Sequence, residues 1–93
     1  MTDMKKFKLI DGHFSSEESR EVLMNVFSGK IQFHQMKNLS SLEFYGKDDD
    51  AALNRIAELK QSISEILKYI EEAEKQGTLL EIKADFKIQF SPK

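Results

Sequence analysis

The sequence predicts an α+β fold in the order β–α–α–β, in which a long antiparallel helical hairpin packs on an antiparallel sheet completed by dimerisation. Three features predict this fold: a central helical repeat of apolar residues, a C-terminal segment with strict alternation, and a first half long enough for a matching helix. The 93 residues are 40% apolar, which suffices for one modest core. We therefore expect residues 1–93 to form a single α+β domain.

The N-terminal segment predicts a strand around residues 5–11, with Phe7 and Leu9 on one face. Gly12 permits a turn after it. Ser15 and Glu18 have the spacing of a capping box, in which each side chain bonds to the other residue's backbone N–H. We therefore expect the first helix to begin near residue 16.

The stretch from Ser28 to Gly46 has two interpretations. If Gly29 ends the first helix, two short strands follow and the fold becomes the ferredoxin-like βαββαβ arrangement. If the helix continues through Gly29, that residue costs about 1 kcal/mol relative to alanine. A helix over 16–45 then matches the second helix in length and forms a hairpin with it. The matching lengths favour the hairpin, and the ferredoxin-like order is the alternative.

The second helix is predicted over residues 49–76. Acidic residues precede it, as is typical of a helix N-terminus, and Gly77 fits the left-handed position after its end. Its apolar residues recur three and four positions apart, which is the pattern of an amphipathic helix. They are Ile56, Leu59, Ile63, Ile66, Ile70 and Ala73.

The C-terminal segment predicts a strand with one apolar and one charged face, since apolar residues alternate with polar ones from Leu80 to Phe90. Two strands alone make a weak sheet, and the C-terminal strand would leave a long, flat edge. A homodimer with a four-stranded sheet across a two-fold axis would remove both problems. Dimerisation is therefore part of the predicted fold.

Composition excludes several classes of function. The chain has 14 basic and 16 acidic residues, which argues against nucleic-acid binding through bulk charge. Weak binding through sheet lysines is a third possibility, and it would use Lys5, Lys6, Lys8, Lys83 and Lys87. Because there is no cysteine, disulfides, thiolate metal sites and cysteine nucleophiles are excluded. We expect no catalytic residue, metal or cofactor. We also expect no membrane-spanning segment, because no run of residues is long and apolar enough. The charged N-terminal segment predicts a cytoplasmic location.

One group of residues is a candidate ligand site. On a continuous helix, His34 and Asn38 lie one turn apart among apolar residues, and Lys30 lies one turn before His34. A histidine and an amide in this arrangement could bind a small polar ligand or orient a proton transfer, with Lys30 attracting an anion. The competing interpretation is a polar pair that hydrogen-bonds within the fold.

The sequence also resembles a group of small bacterial proteins that are common in Bacteroidetes-type genomes and have no assigned function. The resemblance lies in residues 14–18, residues 30–38, Arg55-Ile56 and the alternating tail. It implies a bacterial, intracellular protein and no catalytic residues. Taken together, the sequence favours a non-enzymatic, homo-oligomeric interaction or scaffold module. A small-ligand or enzyme site around Lys30, His34 and Asn38 is the alternative.

Overall fold

The computed structural model describes residues 3–93 and confirms the predicted β–α–α–β order. Strand β1 (Lys5–Phe14) leads into helix α1 (Ser16–Tyr45), and helix α2 (Asp50–Gln76) leads into strand β2 (Leu80–Ile88). The helices form a hairpin, and β1 pairs with β2 in an antiparallel two-stranded sheet. Residues 29–45 are helical, so the ferredoxin-like alternative, which needs two strands there, is wrong.

The capping box predicted for α1 is present. The Oγ of Ser15 accepts a hydrogen bond from the backbone N–H of Glu18 at 3.1 Å. The Glu18 carboxylate accepts one from the backbone N–H of Ser15 at 2.9 Å. The helix then passes through Gly29 without a break and ends at Gly46, which has a φ of 67°. Gly29 does not end the helix, because its free-energy cost of about 1 kcal/mol is small compared with the stabilisation that a 30-residue helix gains from packing.

Helix α2 begins at the N-cap Asp49, whose carboxylate accepts a hydrogen bond from the backbone N–H of Ala52 at 3.1 Å. It ends at Gly77, which has a φ of 68°. The apolar repeat of α2 faces α1 and supplies most of the core. The buried residues of α2 are Ala52, Ile56, Leu59, Ile70 and Ala73.

A β-bulge in β1 changes the predicted faces of the sheet. Phe7 lies opposite Phe86 and Ile10 lies opposite Ala84, which leaves Leu9 without a partner in β2. The extra residue shifts the alternation by one, so Ile10 rather than Leu9 continues the row that contains Phe7. Ile10 is accordingly 9% exposed and Leu9 44% exposed. The prediction that Leu9 follows Phe7 on one face of the strand was therefore wrong, because Ile10 takes that position.

The register gives the sheet two chemically different faces. The apolar face carries Phe7, Ile10, Phe14, Leu80, Ile82, Ala84, Phe86 and Ile88. The charged face carries Lys6, Lys8, Asp11, His13, Glu81, Lys83, Asp85 and Lys87.

The hairpin covers only the half of the apolar face that lies next to the helices. Ile10 is buried and Leu80 and Ile82 are half-buried, whereas Phe86 and Ile88 are exposed. The molecule is thin, with extents of 50 × 37 × 15 Å and a radius of gyration of 16.8 Å. A compact chain of this length would have a radius of gyration of about 12 Å. Across the described residues, neither helix is long and apolar enough to cross a membrane.

Candidate interaction surface

The chain exposes far more surface than a compact protein of its mass. Its accessible area is 7586 Å², whereas about 5,500 Å² is expected of a compact 10.8 kDa monomer. The excess is therefore about 2,000 Å². Much of the exposed surface is apolar, since large side chains on α1 and on the free end of the sheet lie open. Extended apolar surface of this kind is typical of protein–protein interaction sites.

The free end of the sheet forms one apolar cluster, which we call the distal patch. Its members come from the start of β1 and from the end of β2 and the residues that follow it. They are Met4, Phe7, Phe86, Ile88 and Phe90, and all of them are exposed. An open concavity of about 550 Å³ is lined by Met4, Phe7, Ile88 and Phe90, together with Asp3, Lys5 and Gln89. The hairpin leaves this end of the apolar face uncovered.

Strand β2 presents a regular, unpaired edge. The sheet has only two strands, so the side of β2 away from β1 has no neighbouring strand among the described residues. Residues 80–88 contain no proline or glycine, and the register shift lies on the β1 side. Bulges, proline and charged side chains, especially lysine, are the usual features that protect an edge from pairing. Strand β2 has no bulge or proline, and its two lysines alternate with Glu81 and Asp85. Its edge can therefore accept a strand of complementary charge.

A second concavity, of about 270 Å³, lies between β2 and the hairpin. Leu23 of α1, Ile66 and Tyr69 of α2, and Leu80 and Ile82 of β2 supply its apolar lining. Tyr69 is 74% exposed there. The sequence did not predict this concavity, because it forms only where β2 packs beside the two helices.

Asn38 of the candidate ligand site takes part in the helix–helix connection. Its Oδ1 accepts a hydrogen bond from the backbone N–H of Asp49 at 2.6 Å, and its Nδ2 donates to Asp48 Oδ1 at 3.1 Å. Both ends of the amide therefore have partners in the connecting segment. A ligand at this position would have to compete with these bonds.

His34 and Lys30 lie on the same helix with Phe33 between them. His34 is half-buried, and its ring meets the Phe33 ring edge-on with centroids 5.2 Å apart. The Lys30 ammonium lies 5.3 Å from the Phe33 centroid, and that of Lys37 lies 5.9 Å from it. Partial burial lowers the pKa of His34, the nearby cations Lys30, Arg55 and Lys37 lower it further, and Asp49 opposes them. The structure thus favours a neutral imidazole, and the ligand-binding role of Lys30, His34 and Asn38 stays a prediction.

The sheet lysines share their face with acids. The register places Lys6, Lys8, Lys83 and Lys87 on the charged face, whereas Lys5 lies on the apolar face beside Phe7. The Lys8 ammonium contacts the Asp11 carboxylate at 3.2 Å, and that of Lys83 contacts Glu81 at 3.7 Å. The surface is therefore of mixed charge, unlike the basic stripe typical of a nucleic-acid interface.

Comparison of the chain with protein-family models, with curated proteins and with solved structures finds no match. The inference of function therefore depends on the surfaces described above.

Proposed function

We propose that the protein is a homodimeric, non-enzymatic interaction or scaffold module of the cytoplasm. The excess accessible area of about 2,000 Å² is the observation that carries this proposal. Homodimer interfaces commonly bury between about 2,000 and 5,000 Å² over both subunits and are richer in apolar residues than transient interfaces. A second copy that covered the excess on each subunit would give an interface within this range.

The sheet is the surface that we assign to the second copy. Its distal patch is apolar and uncovered, and β2 has an open edge. An isolated two-stranded ribbon is marginally stable in water, whereas three or more strands with a covered apolar face are stable. Association through the sheet would therefore supply both the missing strands and cover for the apolar face.

A protein partner is assigned to the opposite end of the hairpin. There, α1 exposes Phe33, Met36 and Phe44, and Lys37 lines the same open concavity. Phe33 lies about 25 Å along α1 from the first residue of the helix, at 1.5 Å per residue. One surface would thus remain free while the sheet holds the dimer together. The apolar side chains beside lysines fit an apolar segment that carries acidic residues.

Sedimentation equilibrium at micromolar concentration tests the homodimer. The expected mass is twice the 10.8 kDa of the chain. Small-angle X-ray scattering on the same samples should show a radius of gyration that differs from the 16.8 Å of the single chain. A monomeric mass across the concentration series would contradict the proposal.

A further inference from the structure

We infer that β2 is the dimerisation strand and pairs antiparallel with β2 of the partner subunit about a two-fold axis at Ala84. This inference rests on the proposed homodimer and specifies its interface. The resulting sheet would have four strands, with the two copies of β2 at its centre and the two copies of β1 at its edges. Four observations support this arrangement.

The first observation is that the charges of β2 are antisymmetric about Ala84. Lys83 and Asp85 lie one residue to either side of it, and Glu81 and Lys87 lie three residues to either side. Antiparallel self-pairing centred on Ala84 therefore places Lys83 opposite Asp85 of the partner subunit. It also places Glu81 opposite Lys87 of the partner subunit. Each pair occurs twice by symmetry, so all eight charges on the two strands face an opposite charge.

Other registers of the same strand lose this match. A two-fold axis at Lys83 would place that lysine opposite its own copy and Glu81 opposite Asp85 of the partner subunit. An axis at Asp85 would place two aspartates opposite each other and two pairs of lysines beside them. Like charges directly opposite each other destabilise a sheet. An axis at Ile82 would match only Glu81 with Lys83 of the partner subunit, and an axis at Phe86 only Asp85 with Lys87 of the partner subunit. Ala84 is therefore the centre that pairs the most charges.

The second observation is a pair of like charges within each chain. Lys6 of β1 lies directly opposite Lys87 of β2 on the charged face. Such a pair is unfavourable in an isolated ribbon. In the proposed dimer, Glu81 of the partner subunit lies on the other side of Lys87 and supplies the missing acid.

The third observation is the placement of the apolar side chains. The same register puts Ile88 opposite Leu80 of the partner subunit and Phe86 opposite Ile82 of the partner subunit. Leu80 and Ile82 line the 270 Å³ concavity beside Tyr69. The exposed Phe86 and Ile88 of one copy thus come to the edge of the open concavity of the other, which they can cover.

The fourth observation is the unsuitability of the β1 edge. The bulge at Leu9 interrupts its regular hydrogen-bonding geometry, and Gly12 has no side chain to pack. The residues of β1 also lack the antisymmetric charges of β2, since Lys5, Lys6 and Lys8 cluster at one end. Self-pairing is therefore favoured at β2.

Two matched charge reversals test the inference. Lys6→Glu and Lys87→Glu both convert the Lys6–Lys87 pair within the chain into an attractive pair, and both change the net charge equally. Only Lys87→Glu places a glutamate opposite Glu81 of the partner subunit. We expect Lys87→Glu to raise the dimer dissociation constant about tenfold or more, and Lys6→Glu to change it less than about threefold. The double variant Glu81→Lys/Lys87→Glu restores opposite charges and should recover the wild-type constant within about threefold.

The outcomes separate this inference from the proposed function. A monomeric wild-type protein overturns both. A wild-type dimer that Lys6→Glu and Lys87→Glu weaken equally leaves the homodimer standing but overturns the β2 register, as does failure of the double variant to restore association. Circular dichroism of each variant checks that the helices persist. Because both single changes favour the ribbon within the chain, weaker association of Lys87→Glu alone reports on the interface.

Discussion

Asn38 holds the start of α2 in place, since its side-chain oxygen accepts a hydrogen bond from the backbone N–H of Asp49 at 2.6 Å. The amide nitrogen of the same side chain donates to Asp48 at 3.1 Å. Asp49 in turn caps α2 by accepting a hydrogen bond from the backbone N–H of Ala52. One amide on α1 thus fixes the connection that orders the second helix.

Replacement of Asn38 by alanine should therefore destabilise the hairpin. The change removes both bonds and leaves the part-buried Asp49 N–H without its acceptor, which costs about 1–3 kcal/mol. Urea denaturation followed by circular dichroism measures this loss. Asn25→Ala is the matched control, because Asn25 is an exposed asparagine on the same helix. Its effect should stay within about 0.5 kcal/mol, and equal effects of the two changes would contradict the role of Asn38.

The pKa of His34 predicts a loss of stability in acid. Partial burial and the cations Lys30, Arg55 and Lys37 lower this pKa below the ordinary value of 6.5. The unfolded chain therefore binds a proton at His34 more readily than the folded chain does. Stability should rise with pH from the folded pKa up to about 6.5, and should fall as the pH decreases through the same window.

His34→Gln tests this prediction, because the variant has no titrating group at that position. Denaturation at one pH above 6.5 and one below it should give a smaller difference for His34→Gln than for the wild type. Lys30→Gln should raise the pKa of His34 in an NMR titration, since one of the cations that lower it is gone. An unchanged pKa in Lys30→Gln would show that Lys30 does not affect the imidazole.

Gly29 inside α1 and Gly46, which follows the last residue of α1, should respond oppositely to replacement by alanine. Gly29 lies inside the helix, and a Cβ there would meet no atom within 4 Å. Gly29→Ala should therefore stabilise the protein by about 0.5–1 kcal/mol. Gly46 has a φ of 67°, so Gly46→Ala should destabilise it by about 1–2 kcal/mol. Thermal denaturation of both variants checks the signs, and destabilisation by Gly29→Ala would show that the helix needs a glycine there.

The order of elements could be predicted from the sequence because each element carried its own periodicity. The two-residue alternation from Leu80 and the three–four spacing around Ile56 to Ala73 directly indicate a strand and a helix. The stretch around Gly29 was ambiguous, because a single glycine fits both a helix end and a helix interior. The length of α2 decided it, since a helix of equal length can lie beside it.

The details of the sheet and of Asn38 could not be predicted, because they depend on contacts between distant residues. The bulge at Leu9 appears only when β1 is aligned with β2, and it moves Ile10 into the apolar row. The partners of Asn38 are 10 and 11 residues away, across the turn between the helices. Spacing along α1 placed Asn38 one turn from His34 and carried no information about that turn.

Tyr69 provides a fluorescent probe of the proposed interface. It is 74% exposed in the single chain and lines the concavity beside Leu80 and Ile82. In the proposed dimer, Phe86 and Ile88 of the partner subunit approach this concavity. Tyr69→Trp would introduce the only tryptophan of the chain, since the sequence contains none.

The tryptophan emission of this variant should shift to shorter wavelength as the protein concentration rises through the dimer dissociation constant, because the indole moves from water into an apolar contact. Adding Lys87→Glu should move that transition to higher concentration, whereas adding Lys6→Glu should leave it in place. A tryptophan introduced instead at exposed Tyr45, at the end of α1, should show no such shift. If sedimentation reports a dimer but the emission of the tryptophan at position 69 does not change with concentration, the interface lies away from β2.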